Sequence, residues 1–360
     1  MSDPRWVGRM PINHLTDVES IPDMARLRGY RLQRVREQLK RHDLAACVLF
    51  DPVNIRYATG AREFPVFSMH IWGSYVFIPA DGPVIFFAAK TTRGIGLETI
   101  SEYRPYIDFS YFLAGEARDN NFKQFAHQIA EVMREHCGTE KRIAVDRADY
   151  YAVTALHEKG FRVEDAQKPM ERARAIKSAE EIACMTFSIA TAEVGIARMR
   201  EALRPGMTEN QLWSILHQTN IAMGGEWIEA RLMASGDRIN PWFQESSDRM
   251  IRAGELVAFD TDMVGPFSYC ADISRTFYCG PGKPTPRQRD IYKLAYEEVH
   301  HNIELAQPGM SFREFSEKAW KQPENCIASR YMLVAHGIGL CDEYPGIYYP
   351  QDWKEKGYDG

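Results

Sequence analysis

Phe259-Asp-Thr-Asp-Met-Val-Gly-Pro-Phe-Ser-Tyr-Cys-Ala-Asp-Ile-Ser-Arg-Thr-Phe277 places three carboxylates, Asp260, Asp262 and Asp272, within one short window. The apolar run Leu256-Val-Ala-Phe259 reads as a strand ending in acids, and Ile273, Thr276 and Phe277 mark a second strand-like run around Asp272. A hairpin between the two runs would gather the acids. Burying that much negative charge is costly unless a cation or hydrogen-bond donors compensate it, so the stretch reads as a metal site rather than a solvated turn. If residues 260–262 are extended, Asp260 and Asp262 project to the same face. Further on, His336 opens His-Gly-Ile-Gly-Leu-Cys-Asp-Glu-Tyr-Pro345 and supplies an imidazole.

The remainder of the chain sets the context. A length of 360 residues with 45% apolar content suits two globular domains, and a net charge of -5 offers no basic footprint for nucleic acid. The seven cysteines, at 47, 137, 184, 270, 279, 326 and 341, are odd in number and form no Cys-x-x-Cys pair, as expected of thiols in a reducing, cytoplasmic compartment. The N-terminal Met-Ser-Asp-Pro-Arg-Trp has no apolar core of signal length, and no membrane-spanning run is expected.

In the first half, Leu27, Leu32, Val35 and Leu39 recur at helical spacing among arginines that read as solvating the helix, and Leu44-Ala-Ala-Cys-Val-Leu-Phe50 suits a strand buried on both faces. Tyr75-Val-Phe-Ile-Pro-Ala-Asp-Gly-Pro-Val-Ile-Phe-Phe87 reads as two strands around an Asp81-Gly82 turn. In the second half, Pro205-Gly-Met-Thr208 and Pro308-Gly-Met-Ser311 form an internal repeat. In each copy Pro-Gly ends one helix and the hydroxyl residue caps the next.

Phe259-Asp260 through Asp272-Ile-Ser-Arg-Thr-Phe277, followed by His336-Gly-Ile-Gly, resembles the metal-binding core of the pita-bread metallopeptidases, the superfamily of aminopeptidase P, prolidase and creatinase. Asp51-Pro-Val-Asn-Ile-Arg-Tyr-Ala-Thr-Gly60 is similar to the start of the creatinase-type N-terminal domain, and Arg172-Ala-Arg-Ala-Ile-Lys177 to the link into the catalytic domain. The resemblance implies an α/β (α+β) chain with a creatinase-like domain over residues 1–170 and a pseudo-symmetric pita-bread catalytic domain over 171–360. It implies a dinuclear divalent transition-metal centre and a homodimer. Asp260, Asp272 and His336 fall at metal positions of the motif, and Asp262, where the peptidases usually carry one aspartate followed one residue later by glycine, adds a spare carboxylate that could reach either metal position. The family's two glutamate ligands lie on strands beyond the histidine motif. No matching pair precedes Gly360, Glu343 and Glu355 do not match, and a C-terminally incomplete catalytic domain is expected.

Departures from the peptidase pattern narrow the activity. Peptidases of this fold carry a histidine before the first metal aspartate and another shortly after His-Gly. Here Trp242 stands near the first position, no histidine lies between 218 and 299, and Cys341-Asp342-Glu343 follows the motif. Asp260-Thr-Asp262, Trp242 and Asp342 together resemble the dimethylsulfoniopropionate (DMSP) lyases built on this fold. That likeness implies cleavage to dimethyl sulfide and acrylate, with Asp342 removing the α-proton while the metal acts as a Lewis acid on the substrate carboxylate. A zwitterionic sulfonium substrate favours aromatic faces, for which Trp242, Phe243, Tyr331 and Tyr344 are candidates. Oxygen-rich ligation with one imidazole suits iron, manganese or zinc, and the lyase resemblance favours iron. The alternatives are an Xaa-Pro aminopeptidase or prolidase, which the missing histidines disfavour, and a non-catalytic binding protein, which has no need of buried acids around a cation. His300 and His301 diverge on one helix and read as surface residues.

Overall fold

A computed structural model describes residues 22–68, 70–71, 73–89 and 97–353; the N-terminal stretch and Glu355 lie outside the described residues. Packing divides the chain into two compact units, Met1–Ala183 and Cys184–Gly360, a partition that falls downstream of the expected 170/171 boundary.

The first unit is built on a six-stranded mixed sheet of β1 (Ala46–Leu49), β2 (Ser74–Pro79), β3 (Ile85–Ala88), β4 (Glu102–Pro105), β5 (Arg142–Val145) and β6 (Arg162–Asp165), in the order β4-β3-β2-β1-β5-β6. β1, β2 and β3 are buried at every position, as their continuous apolar runs require. Phe125, on the helix Arg118–Cys137, lies within 5.8 Å, 5.2 Å and 5.2 Å of the ring centroids of Phe50, Tyr75 and Phe109. The helix Met24–Arg41 forms where the periodicity placed it, capped by the Asp23 carboxylate. One of its arginines departs from the expected solvating role. Arg31 is fully buried, pairs with Glu181 at 3.4 Å and lies 5.5 Å from the centre of the Tyr57 ring. Its long side chain spans a gap where two buried groups need a common partner.

In the second unit both Pro-Gly-Met copies separate helices. Thr208 caps Glu209–Ala222 with a reciprocal bond to Gln211, and Ser311 caps Phe312–Lys318 by accepting from Glu314 N. The helix Ala179–Ala202 is long and apolar enough to span a bilayer by composition alone, which the sequence reading did not register. Its Ala192, Ile196 and Met199 belong to a hydrophobic core shared with Leu212, Trp213 and Phe259.

The strands that carry the acids are β9 (Leu256–Phe259), β10 (Met263–Val264), β11 (Cys270–Ala271) and β12 (Arg275–Tyr278), preceded by β7 (Trp227–Ile228) and β8 (Met233–Ser235). Phe259 lies opposite Arg275, and Met263 opposite Ala271. These pairs share one register, so β9–β10 and β11–β12 form a single hairpin ladder interrupted between Phe259 and Met263. The same register sets Asp262 across from Asp272. At the interruption the Thr261 side chain stands in for the ladder: its hydroxyl donates to Ala271 O and accepts from Ile273 N at 2.9 Å.

Because Phe125 meets three aromatic rings at the centre of the first unit, Phe125→Ala should cost about 3–5 kcal/mol. Chemical denaturation should resolve this loss, with Phe125→Leu costing less.

Candidate metal centre

Residues 260–262 do not continue as an extended strand. Asp262 adopts a left-handed backbone with φ 37, so the simple alternation expected for Asp260 and Asp262 fails. The acids converge on Asp272 from two backbone conformations instead. An aspartate tolerates this conformation better than a β-branched residue would, and Thr261, fully buried between the two acids, anchors the irregular turn.

The second half of the site arrives on β13 (Leu333–Ile338) and β14 (Asp342–Tyr348), where Ile338 pairs with Asp342. Gly337 is required by close backbone approach, since a Cβ there would lie 2.4 Å from Tyr344 O. Cys270 N donates to Gly339 O at 2.7 Å, which fastens the histidine hairpin to the acidic one. His336 Nε2 then lies 3.2 Å from Asp272 Oδ2, while its Nδ1 faces Gly337 O at 3.0 Å. Asp260, Asp262 and Asp272 each bring an oxygen within 4.8 Å of the others, and Asp272, His336 and Asp342 form a second such group. Asp272 belongs to both. Asp342 is the most open member, exposed at the rim.

Electrostatics report the crowding. Burial, then hydrogen bonding and repulsion from Asp272, push Asp260 up to about 8, and burial with the Asp272 and Asp342 charges pushes Asp262 up to about 7. Burial alone would raise Asp272 too, but hydrogen bonds from His336 and from its carboxyl neighbours hold it below the usual range. The hydrogen bond to Asp272 lifts His336 to about 9 against the opposing effect of burial. At Asp342, partial desolvation and the Asp272 charge raise the carboxyl, although its side chain is open to solvent. Oδ1 of Asp272 is buried and has no hydrogen-bond partner among the described residues. A carboxylate oxygen left bare among other acids, beside an imidazole whose Nδ1 is oriented by a backbone carbonyl, fits a divalent cation.

One acid was not anticipated. Glu229 follows β7 and bonds through its backbone N to Asp262 O at 2.9 Å. Burial and the charges of Asp342, Asp262 and Asp272 raise it to about 8. The available signal was an acid directly after the strand-forming Trp227-Ile228, but only the β7–β10 pairing brings it to the cluster.

Among the aromatic candidates, Tyr331 and Phe243 are brought together, with ring centroids 5.8 Å apart. Burial and the charges of Asp342, Asp272, Asp260 and Asp262 all raise the Tyr331 hydroxyl. Trp242 is half-buried beside Phe243. The ring of Tyr344 stands edge-on to Phe312 at 6.2 Å. His300 and His301 are exposed; one stacks on Tyr296 at 3.8 Å and the other faces Lys318 O.

The creatinase/prolidase N-terminal domain model matches residues 31–176, and the metallopeptidase family M24 model matches residues 183–357. The "Dimethylsulfoniopropionate lyase DddP" of Roseovarius nubinhibens is 34% identical over 347 residues, which covers 94% of this chain and 78% of that protein. This chain belongs to metallopeptidase family M24. The DddP of Roseobacter denitrificans is likewise 34% identical over 353 residues, covering 94% and 77%. A Pyrococcus furiosus Xaa-Pro dipeptidase is 23% identical, covering 88% and 84%. Among solved structures, prolidase from Pyrococcus furiosus matches with a TM-score of 0.66 at 20% identity, covering 88% of this chain and 86% of that one. At that identity the likeness establishes the fold, a creatinase-like domain followed by a pita-bread domain.

Carboxyls raised on folding bind protons that the unfolded chain releases above about pH 4, and a raised His336 does the same up to about pH 9, so both penalise folding as pH rises. Metal-free protein should therefore melt at progressively lower temperature from pH 5 to pH 9. Added divalent transition metal should restore the loss, with a shift that grows with pH. Asp272→Ala should abolish that metal-dependent shift; a shift that persists in the variant would remove Asp272 from the site.

Proposed function

We propose that this chain is a metal-dependent carbon–sulfur lyase that cleaves dimethylsulfoniopropionate to dimethyl sulfide and acrylate. The observation that carries this reading is 34% identity to two DddP lyases across 94% of the chain. The site supports it: an open carboxylate, Asp342, shares a donor group with Asp272 and His336.

Asp260, Asp262, Asp272 and His336 are the residues we assign to holding metal. A dinuclear centre is what likeness to the M24 family suggests, and the oxygen-rich set with one imidazole is compatible with iron, which we favour, as well as manganese or zinc. Bound there, the metal would supply Lewis-acid charge at a substrate carboxylate. Asp342 is assigned as the base. It takes the α-proton, the C–H electron pair becomes the new carbon–carbon double bond, and the β-carbon–sulfur bond breaks with its electrons leaving on sulfur. The products are acrylate, neutral dimethyl sulfide and a protonated Asp342. The rings of Phe243, Tyr331 and Trp242 are assigned to the sulfonium head, where aromatic faces attract a cation without a counter-charge that would compete with the metal. Tyr344 remains a substrate-side candidate through its place on β14, two residues after Asp342. A cytoplasmic homodimer completes the proposal.

Metal-loaded protein offered DMSP should release dimethyl sulfide and acrylate, and Xaa-Pro dipeptides and tripeptides should remain uncleaved. Headspace gas chromatography and free amino-acid assay read the two outcomes; proline-specific cleavage without sulfide would transfer the assignment to a peptidase. Asp342→Asn preserves shape and removes basicity, so turnover should fall about 10²–10⁴-fold while elemental analysis finds metal retained. Metal loss in that variant would move Asp342 into the ligand set.

A further inference from the structure

Glu209, the first residue of the helix Glu209–Ala222, is a fully buried carboxylate. Its Oε1 accepts from Ser235 N at 2.8 Å and Ser235 Oγ at 2.7 Å. Its Oε2 accepts from Ser247 N at 3.1 Å, Ser247 Oγ at 2.7 Å and the Arg238 guanidinium. Arg238 in turn donates to Ser247 Oγ at 2.9 Å and Glu245 O at 2.9 Å. One carboxylate thus joins both ends of the segment 235–247, while Met233 N to Gln244 O at 3.1 Å and Ser246 N to Arg231 O at 2.9 Å pair the stretch before the segment with its returning limb. A buried carboxylate satisfied by five donors is rigid, because each bond lost would leave charge uncompensated.

The returning limb of that segment carries Trp242 and Phe243, beyond the short helical turn Gly236–Ile239. Phe243 holds a left-handed backbone, φ 68, although it is neither glycine nor asparagine. Such a conformation persists only where the surroundings over-determine it. Burial of the ring cannot be the cause, since Phe243 is 55% exposed. The constraint therefore comes through the backbone, from the Met233–Gln244 bond beside Phe243 and from the Glu209 clamp that fixes both limbs behind it. Its result is the 5.8 Å approach of the Phe243 and Tyr331 rings.

We infer that Glu209 is a positioning residue: by clamping Ser235 to Ser247 it holds Phe243 in its strained backbone and so builds the Phe243–Tyr331 aromatic wall that receives the cationic end of the substrate. The substrate class rests on the lyase reading above; the clamp itself does not. The Glu209 carboxylate bonds to Ser235, Arg238 and Ser247 rather than to the acidic cluster, so it acts on substrate capture and leaves the proton-transfer step to other groups.

Glu209→Gln replaces one acceptor oxygen with a donor amide that faces other donors. Ser247→Ala, a milder variant, removes one hydroxyl from the same clamp. Either should raise the KM for DMSP about tenfold while changing kcat less than about threefold, the split expected when binding shared equally by ground state and transition state is lost. In a Phe243→Ala background the same substitutions should add nothing, because the group they act through is gone. Hydrogen exchange of the amides from 237 to 243 should accelerate in both clamp variants. An unchanged KM in a folded variant, or KM effects that simply add to that of Phe243→Ala, would overturn the proposal. If Glu209→Gln fails to fold, Ser247→Ala decides. If the parent protein releases no dimethyl sulfide, the lyase reading fails, and the exchange rates alone decide the clamp: acceleration upholds it and unchanged rates reject it.

Discussion

Crowding of carboxylates around Asp272 is the constraint on which the second unit depends. Asp260, Asp262, Asp272 and Asp342 cannot all stay ionised at neutral pH in a partly desolvated place. Burial and their crowding push the carboxyls of Asp260 and Asp262 up, and the bond to Asp272 lifts the His336 imidazole. The arrangement is poor as a stabilising device and well suited to binding a divalent ion. Its cost has to be borne by rigid surroundings.

Those surroundings are mostly backbone. The hairpin from Leu256 to Tyr278 keeps one register on both sides of its interruption, and Thr261 replaces the lost ladder bonds with its own hydroxyl. Cys270 N to Gly339 O ties a second ladder to the first. Histidine and aspartate from distant parts of the chain then meet at 3.2 Å. The aromatic side of the site follows the same principle, with strain at Phe243 maintained by hydrogen bonds well away from the ring. Exposure at Asp342 and Phe243 beside buried anchors at Thr261 and Glu209 is what a site needs if it is to admit a substrate without losing its geometry.

Much of this was legible in the chain itself. The acids followed an apolar strand, the histidine opened a glycine-spaced motif, and the two Pro-Gly-Met turns announced capped helices that the fold contains. The strands of the first unit were legible for a similar reason: a run such as Ala46–Leu49 has no polar face to leave outside. Membership in the M24 family, and the likeness to the DddP lyases within it, were readable from short motifs because side-chain type at fixed spacing is a local property.

What the sequence could not supply was register and long-range approach. Asp262 looked like an alternating strand residue, but pairing on both sides of the 260–262 break leaves it left-handed. Arg31 looked like one more solvating arginine until Glu181, far along the chain, met it in the interior. Glu229 joins the acidic cluster only because β7 pairs with β10, and Glu209 becomes a clamp only because Ser235 and Ser247 converge on it. The sequence by itself determined which side chains could bind a cation, cap a helix or fill a strand, since those capacities belong to the residue and its near neighbours. Tertiary structure alone decided which acids share a desolvated space and which backbone is held under strain, because both depend on distances between segments that no local pattern encodes.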